Sequence, residues 1–251
     1  MMAGHSKWAN IKHRKGAQDA RRAKMFTRIT KEIQVAVKEG GADPETNPRL
    51  RLAVQNGRSV NMPKDNINRA IAKASEAGGD SFQEITFEGY GPGGVAVFLE
   101  CMTDNNNRTV GAVRSIFNKR GGSLGTNGSL SFLFERKGVF QIVKSEEMNL
   151  EELELELIDA GAQEIEKDEE LIVVTTEMED FGAVQKKLNE LEIVVENAAL
   201  QRIPNNYKEL DLETARKLLR MIDEFEDNDD VQNVFHNLEI TDELANSFES
   251  E

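Results

Sequence analysis

The sequence predicts a multidomain α+β protein with an N-terminal helical bundle followed by two α/β domains, the third of them a ferredoxin-like βαββαβ insertion. Three observations carry that expectation. Hydrophobic spacing is helical as far as about residue 79 and strand-like beyond it. Glycine pairs at 40–41, 78–79 and 121–122 fall where helical patterns stop. Charge divides near the same place. Residues 1–78 hold 16 Lys plus Arg against 7 Asp plus Glu, and the remainder holds 15 against 38. A head of +9 is thus joined to a body of −23 within a chain of net charge −14.

In the head, Phe26, Ile29, Ile33, Ala36 and Val37 recur at helical intervals and predict a helix that Gly40 and Gly41 stop. On the opposite side Arg21, Lys24, Arg28, Lys31 and Lys38 fall within an arc of about 100°. They are expected to form an open basic ridge. A second helix is predicted at "NPRLRLAV", with Asn47 as N-cap and Pro48 in the first turn, burying Leu50, Ala53, Val54 and Val60 and weakened by Gly57. A third follows "NMPKDNINRAIAKA", with Ile67, Ala70, Ile71 and Ala74 inward. These helices place the first domain at 1–79.

In the body, "ITFEGY" and "VAVFLECMT" flank "GPGG" and predict a β-hairpin. That glycine cluster lacks the Lys-Ser/Thr of a phosphate loop and runs into a strand. Next come a helix burying Val110, Val113, Ile116 and Phe117, and a strand at "SLSFLF". Residues 138–203 then read strand, helix, strand, strand, helix, strand, the order of a ferredoxin-like split unit. Within it Leu153, Leu157 and Ile158 are assigned to the inward face of an acidic helix. After Pro204, a helix at "LETARKLLRMIDEF" and an edge strand at "VQNVFHNLEI" are expected to complete the sheet left open at Phe134. The predicted division is therefore a discontinuous middle domain at 80–135 and 204–251, with an inserted acidic domain at 136–203.

Several chemistries are not expected. The three histidines stand without metal-ligand spacing, no nucleophile elbow occurs, and no carboxylate pair can be placed in a cleft. The run 223–230, "DEFEDNDD", lacks the glycine and terminal glutamate of a calcium loop and reads as a solvated helix end. Cys101, the only cysteine, sits in an apolar run and reads as a small buried hydrophobe. No apolar run approaches a membrane span and no secretory signal is evident, so a cytoplasmic protein without cofactor or catalytic centre is expected.

What the charge pattern does fit is a polyanion. Within residues 4–29, eight Lys or Arg residues face a single acid, Asp19. The candidate nucleic-acid contacts are Lys7, Trp8, Lys12, His13, Arg14, Lys15, Arg21, Arg22, Lys24, Arg28 and Lys31. Trp8 reads first as a ring capping a small core and second as one stacking on a base.

The blocks "AGHSKWANIKHRK", "KMFTRITKEI", "GADPETNPRLRLAV", "NMPKDNI", "FEGYGPGGVAV", "TDNNNRT" and "GGSLGTNGS" resemble the YebC/PmpR family, in order and over nearly the whole chain. The resemblance implies a helical domain followed by two α/β domains. It also implies a cytoplasmic regulator of transcription that binds DNA. Related members, including the mitochondrial translational activator of cytochrome oxidase, imply an alternative: a ribosome-associated factor that binds ribosomal RNA and relieves stalled elongation. A third option is intramolecular, with the positive head docked on the negative body. Duplex DNA, ribosomal RNA, the ribosome and the transcription machinery are the candidate partners, and no membrane is expected.

Overall fold

The computed structural model describes residues 18–76, 82–145, 148–167 and 171–249. It is an α+β protein in which a three-helix region precedes two four-stranded antiparallel sheets with their helices. Helix α1 (Gln18–Gly40) packs on α2 (Pro48–Ser59) and α3 (Lys64–Ser75). Ile33, Ala36 and Val37 meet Leu50, Ala53, Val54, Met62, Ile67, Ala70 and Ala74 in one apolar cluster. The second helix starts as its sequence dictates: Asn47 accepts a hydrogen bond from the Leu50 amide, and Pro48 occupies the first turn, where no amide is needed. Asn47 also donates to the carbonyls of Ala36 and Gly41, so the same cap fixes the end of α1.

Strands β1 (Gln83–Tyr90) and β2 (Ala96–Thr103) form the expected hairpin. Its turn, Pro92–Gly94, needs a positive φ of 70° at both Gly93 and Gly94, which explains the paired glycines. Helix α4 (Asn106–Lys119) follows. The chain then adds a two-residue strand, β3 (Ser123–Leu124), to β1. The first sheet is closed from far along the chain: α7 (Leu212–Glu226) leads into β8 (Val231–His236), which pairs with β2 to give the order β3-β1-β2-β8. Phe117, Leu218, Met221, Ile222 and Phe225 cover one face of this sheet with almost no exposure. Cys101 is buried there, and that burial, helped by the charge of Asp230, pushes its thiol up to about 12.

Between these two stretches lies β4 (Phe134–Val143), α5 (Leu150–Asp159), β5 (Ala162–Lys167), β6 (Leu171–Glu177), α6 (Phe181–Glu190) and β7 (Val195–Pro204). Their sheet is antiparallel with order β5-β6-β4-β7, and Phe140, Ile142, Leu157, Val174, Val184, Leu188 and Ala198 make its core. A final helix, α8 (Asp242–Glu249), was not expected. The Thr241 hydroxyl accepts from the Leu244 amide at its start, and Leu244 joins the first sheet's core.

Three expectations are corrected. "SLSFLF" is not a strand of its own: residues 128–133 are turns, and only Phe134 is extended, opening β4. The cause is remote, because the buried Glu88 carboxylate of β1 accepts from the amides of Gly128 and Leu130 and folds that segment over the sheet. Ile158, expected on the inward face, is half exposed, and Leu153 and Leu157 alone carry the buried side of α5. The acidic run 223–230 is not simply solvated, since Asp230 is buried.

Candidate nucleic-acid interface

Six candidates, Lys7, Trp8, Lys12, His13, Arg14 and Lys15, lie outside the described residues. Arg21 falls in the first turns of α1, with its side chain likewise outside them. Arg22 is exposed; its guanidinium lies 5.6 Å from the Phe26 ring centroid and donates to the Asn61 carbonyl at 3.2 Å.

The expected open ridge on α1 is corrected. Lys24, Arg28 and Lys31 turn onto the end of α7 and the turn before β8. Lys24 pairs with the Asp227 carboxylate. Arg28 donates to the Glu226 carbonyl at 3.0 Å, and its burial holds the guanidinium below its ordinary range despite the nearby Glu226, Asp227 and Asp229. Lys31 is 8% exposed; its ammonium donates to the carbonyls of Met102 (3.1 Å) and Asp229 (2.7 Å) and to Asp230 Oδ1 (3.1 Å). The physical reason is the end of α7. The last carbonyls of a helix have no partner inside it and carry partial negative charge; Arg28 bonds one of them, at Glu226, while Lys24 and Lys31 bring their charge to the acidic turn that follows. For these three residues the intramolecular option holds.

Asp230 is the residue that sequence reasoning missed. It collects Lys31 from α1, Arg108 Nη2 at 2.9 Å and the Thr109 hydroxyl at 2.9 Å from α4. Asn105 caps α4 by accepting from the Arg108 amide, which aims Arg108 and Thr109 at the carboxylate. Burial by itself would lift the Asp230 carboxyl. The hydrogen bonds from Arg108, Thr109 and Lys31 outweigh it and hold the group below the usual aspartate range. One available signal was the position of Asp230, directly before a strand of the core rather than inside the acidic helix.

The head touches the other sheet as well. Asn56 of α2 donates to the Ala198 carbonyl at 2.9 Å and accepts from the Ala198 amide at 3.2 Å. An amide side chain thereby stands in for the strand that the edge of β7 lacks. Gln185 donates to Gln55 at 3.0 Å beside it, and Leu52 packs against the second sheet's core. Arg202 of β7 bridges the two sheets, donating to Glu100 at 2.9 Å with its guanidinium 3.9 Å from the Phe98 ring centroid.

With Lys24, Arg28 and Lys31 engaged, Lys38 of the expected ridge stays exposed near the end of α1, and α2 and α3 leave Arg51, Arg58, Lys64, Arg69 and Lys73 exposed. Arg51 donates to the carbonyls of Pro44 and Glu45, and Arg69 to Asn66. Among the described residues no cluster of three His, Cys, Asp or Glu side chains is placed to hold a metal ion. Among them, too, no helix is long and apolar enough to cross a membrane.

Three helices clamped against two antiparallel sheets, with a positive head on a negative body, define a three-part α+β protein whose distinctive chemistry is charge partition. The chain belongs to the TACO1/YebC family: residues 6–77 match the TACO1/YebC protein N-terminal domain and residues 82–238 the TACO1/YebC second and third domain. It is 54% identical to a probable transcriptional regulatory protein of Amoebophilus asiaticus over 94% of this chain and 98% of that protein. It is 50% identical to the probable transcriptional regulatory protein YrbC of Bacillus subtilis, over 94% of this chain and 99% of that one. A solved structure, a conserved hypothetical protein from Aquifex aeolicus, superposes with a TM-score of 0.81 at 41% identity, covering 89% of this chain and 92% of the other. The names of these relatives indicate no catalytic activity.

Proposed function

We propose that this protein is a non-enzymatic, cytoplasmic regulator of transcription that binds DNA through its N-terminal head. The observation that carries the reading is the charge partition, +9 over residues 1–78 against −23 over the rest, in a chain whose relatives are named probable transcriptional regulators. An acidic body repels a polyanion, so phosphate contacts have to be concentrated in a cationic segment. Lys7, Lys12, Arg14 and Lys15, with Trp8 and His13 between them in the sequence, supply those contacts together with Arg21 and Arg22. Lys24, Arg28 and Lys31 serve the interface indirectly by seating α1 on the body. The domain division 1–79, 80–135 with 204–251, and 136–203 belongs to the same reading, with the third domain taken as a ferredoxin-like unit inserted into the second.

The test is the salt dependence of duplex binding. Neutralising roughly six phosphates gives a slope of log K against log salt of about −5. Replacing Lys7, Lys12, Arg14 and Lys15 together by Ala is expected to flatten that slope. A native slope near zero would remove the polyanion idea. Co-migration of the native protein with ribosomes in a gradient, without recovery of promoter DNA after crosslinking, would replace the DNA reading with ribosomal RNA.

A further inference from the structure

In a chain with 30% charged residues, residues 121–134 carry no charge at all. The middle of this stretch, 125–133, lies over the first sheet beside β1, and its backbone is tightly held. Glu88, 4% exposed, accepts from the Gly128 amide at 2.7 Å and from the Leu130 amide. The Gly125 amide donates to the Glu88 carbonyl at 2.7 Å, Leu130 is fully buried, and Gly128 takes a φ of +87° that other residues avoid. From the other side, Asn205 donates through its amide to the Leu133 carbonyl at 2.9 Å and through its side chain to the Phe132 carbonyl at 3.1 Å. A buried carboxylate and an asparagine thus fix both ends of a segment whose aromatic ring points outward: Phe132 is 70% exposed.

We propose that Phe132 is a stacking platform for an unpaired nucleobase of a single-stranded nucleic acid. The surroundings of the ring favour this ligand over a protein. A stable protein interface needs roughly 800 Å² per partner around an apolar centre, whereas the exposed residues beside the ring are mostly amides and a hydroxyl, Asn127, Ser131, Asn205 and Asn206, followed along the second segment by the exposed Tyr207 and Lys208. One ring bordered by such groups matches a base, which offers a π face and a polar edge. Residues 121–134 carry no carboxylate of their own, and the exposed charges that follow them, Glu135 and Arg136, are of opposite sign, so a strand with a charged backbone meets no net repulsion from this stretch. A backbone already held in place loses little freedom on binding. The inference rests on the nucleic-acid reading above and extends it: the head holds phosphates and Phe132 reads an exposed base.

The test uses the full-length protein with three fluorescent probes, a 20-nucleotide oligo-U, a 20-nucleotide oligo-dT and a duplex of the same length. Phe132→Ala is expected to weaken binding to the single strands about tenfold, with the duplex affinity and the salt slope unchanged, and Phe132→Trp is expected to restore it. Because the ring is exposed, the substitution leaves folding intact, which circular dichroism checks. Similar loss on U and dT is the expected result, because stacking uses the base face and not the sugar. Unchanged single-strand binding by Phe132→Ala, or equal weakening on the duplex, overturns the stacking role while leaving the phosphate-binding head standing. A native protein that binds none of the three probes overturns both.

Discussion

Lys31 Nζ donates to Asp230 Oδ1 across 3.1 Å with both side chains almost withdrawn from water, tying the head to a turn nearly two hundred residues away in the chain. Asp230 also holds Arg108 and Thr109, so one carboxylate joins α1, α4 and the start of β8. Breaking a buried pair by removing one partner leaves the other charge uncompensated. Asp230→Ala is therefore expected to cost about 3 kcal/mol of stability, read as a lowered urea midpoint. Lys31→Met keeps Asp230 bonded to Arg108 and Thr109, and should cost only about 1–2 kcal/mol. The ordering of the two variants is the test, and a Lys31→Met variant less stable than Asp230→Ala contradicts it.

Stability should fall in acid partly through the same residue. The folded Asp230 carboxyl titrates below its ordinary value because Arg108, Thr109 and Lys31 outweigh its burial. Its contribution is complete above the unfolded value of about 3.9 and is lost as pH drops from there through the lower folded value. Urea midpoints between about pH 5 and pH 3 should decline more steeply for the native chain than for Asp230→Asn. Parallel declines would mean that other carboxylates account for the acid sensitivity.

Gly57 sits buried in the interior of α2, where glycine costs roughly 0.5–1 kcal/mol relative to alanine. A Cβ placed there would lie 3.4 Å from Ile29 Cγ2 and Ile67 Cδ1 and 3.6 Å from Met62 Sδ, ordinary contact distances. Gly57→Ala is accordingly expected to stabilise the protein by up to about 1 kcal/mol. A lowered melting temperature would show that the three helices cannot admit a methyl group at this point.

Asn56 acts on the edge of β7 as a one-residue strand. Asn56→Ala removes both bonds to Ala198, and about 1 kcal/mol for each is the expected loss. The local readout is hydrogen exchange: the Ala198 amide should exchange markedly faster in the variant, while Phe140 on the neighbouring strand stays protected. Unchanged exchange at Ala198 would remove the edge-capping role.

Much of the local structure is legible in the residues. Asn47 and Pro48 announce the start of α2, the glycines of "GPGG" announce a turn with positive φ, and Leu153 with Leu157 marks the inner side of α5. Each depends on neighbours within one turn of the chain. The loop at 125–133 was not legible, because the residue that shapes it, Glu88, lies some forty positions earlier and looks like any polar residue of a strand. The candidate site divides in the same way. The basic character of α1 was evident, but the partners of Lys24, Arg28 and Lys31 were not.

From composition and spacing alone follow the helical head, the change to strands near residue 80 and the separation of charge, because these are carried by residue identity and short-range periodicity; the family resemblance rests on the quoted sequence blocks. Which cations meet water and which meet carbonyls was settled by packing. A lysine has the same chemistry in either place, and only the approach of the α7 terminus and Asp230 to one side of α1 turns an apparent phosphate ridge into an internal fastening.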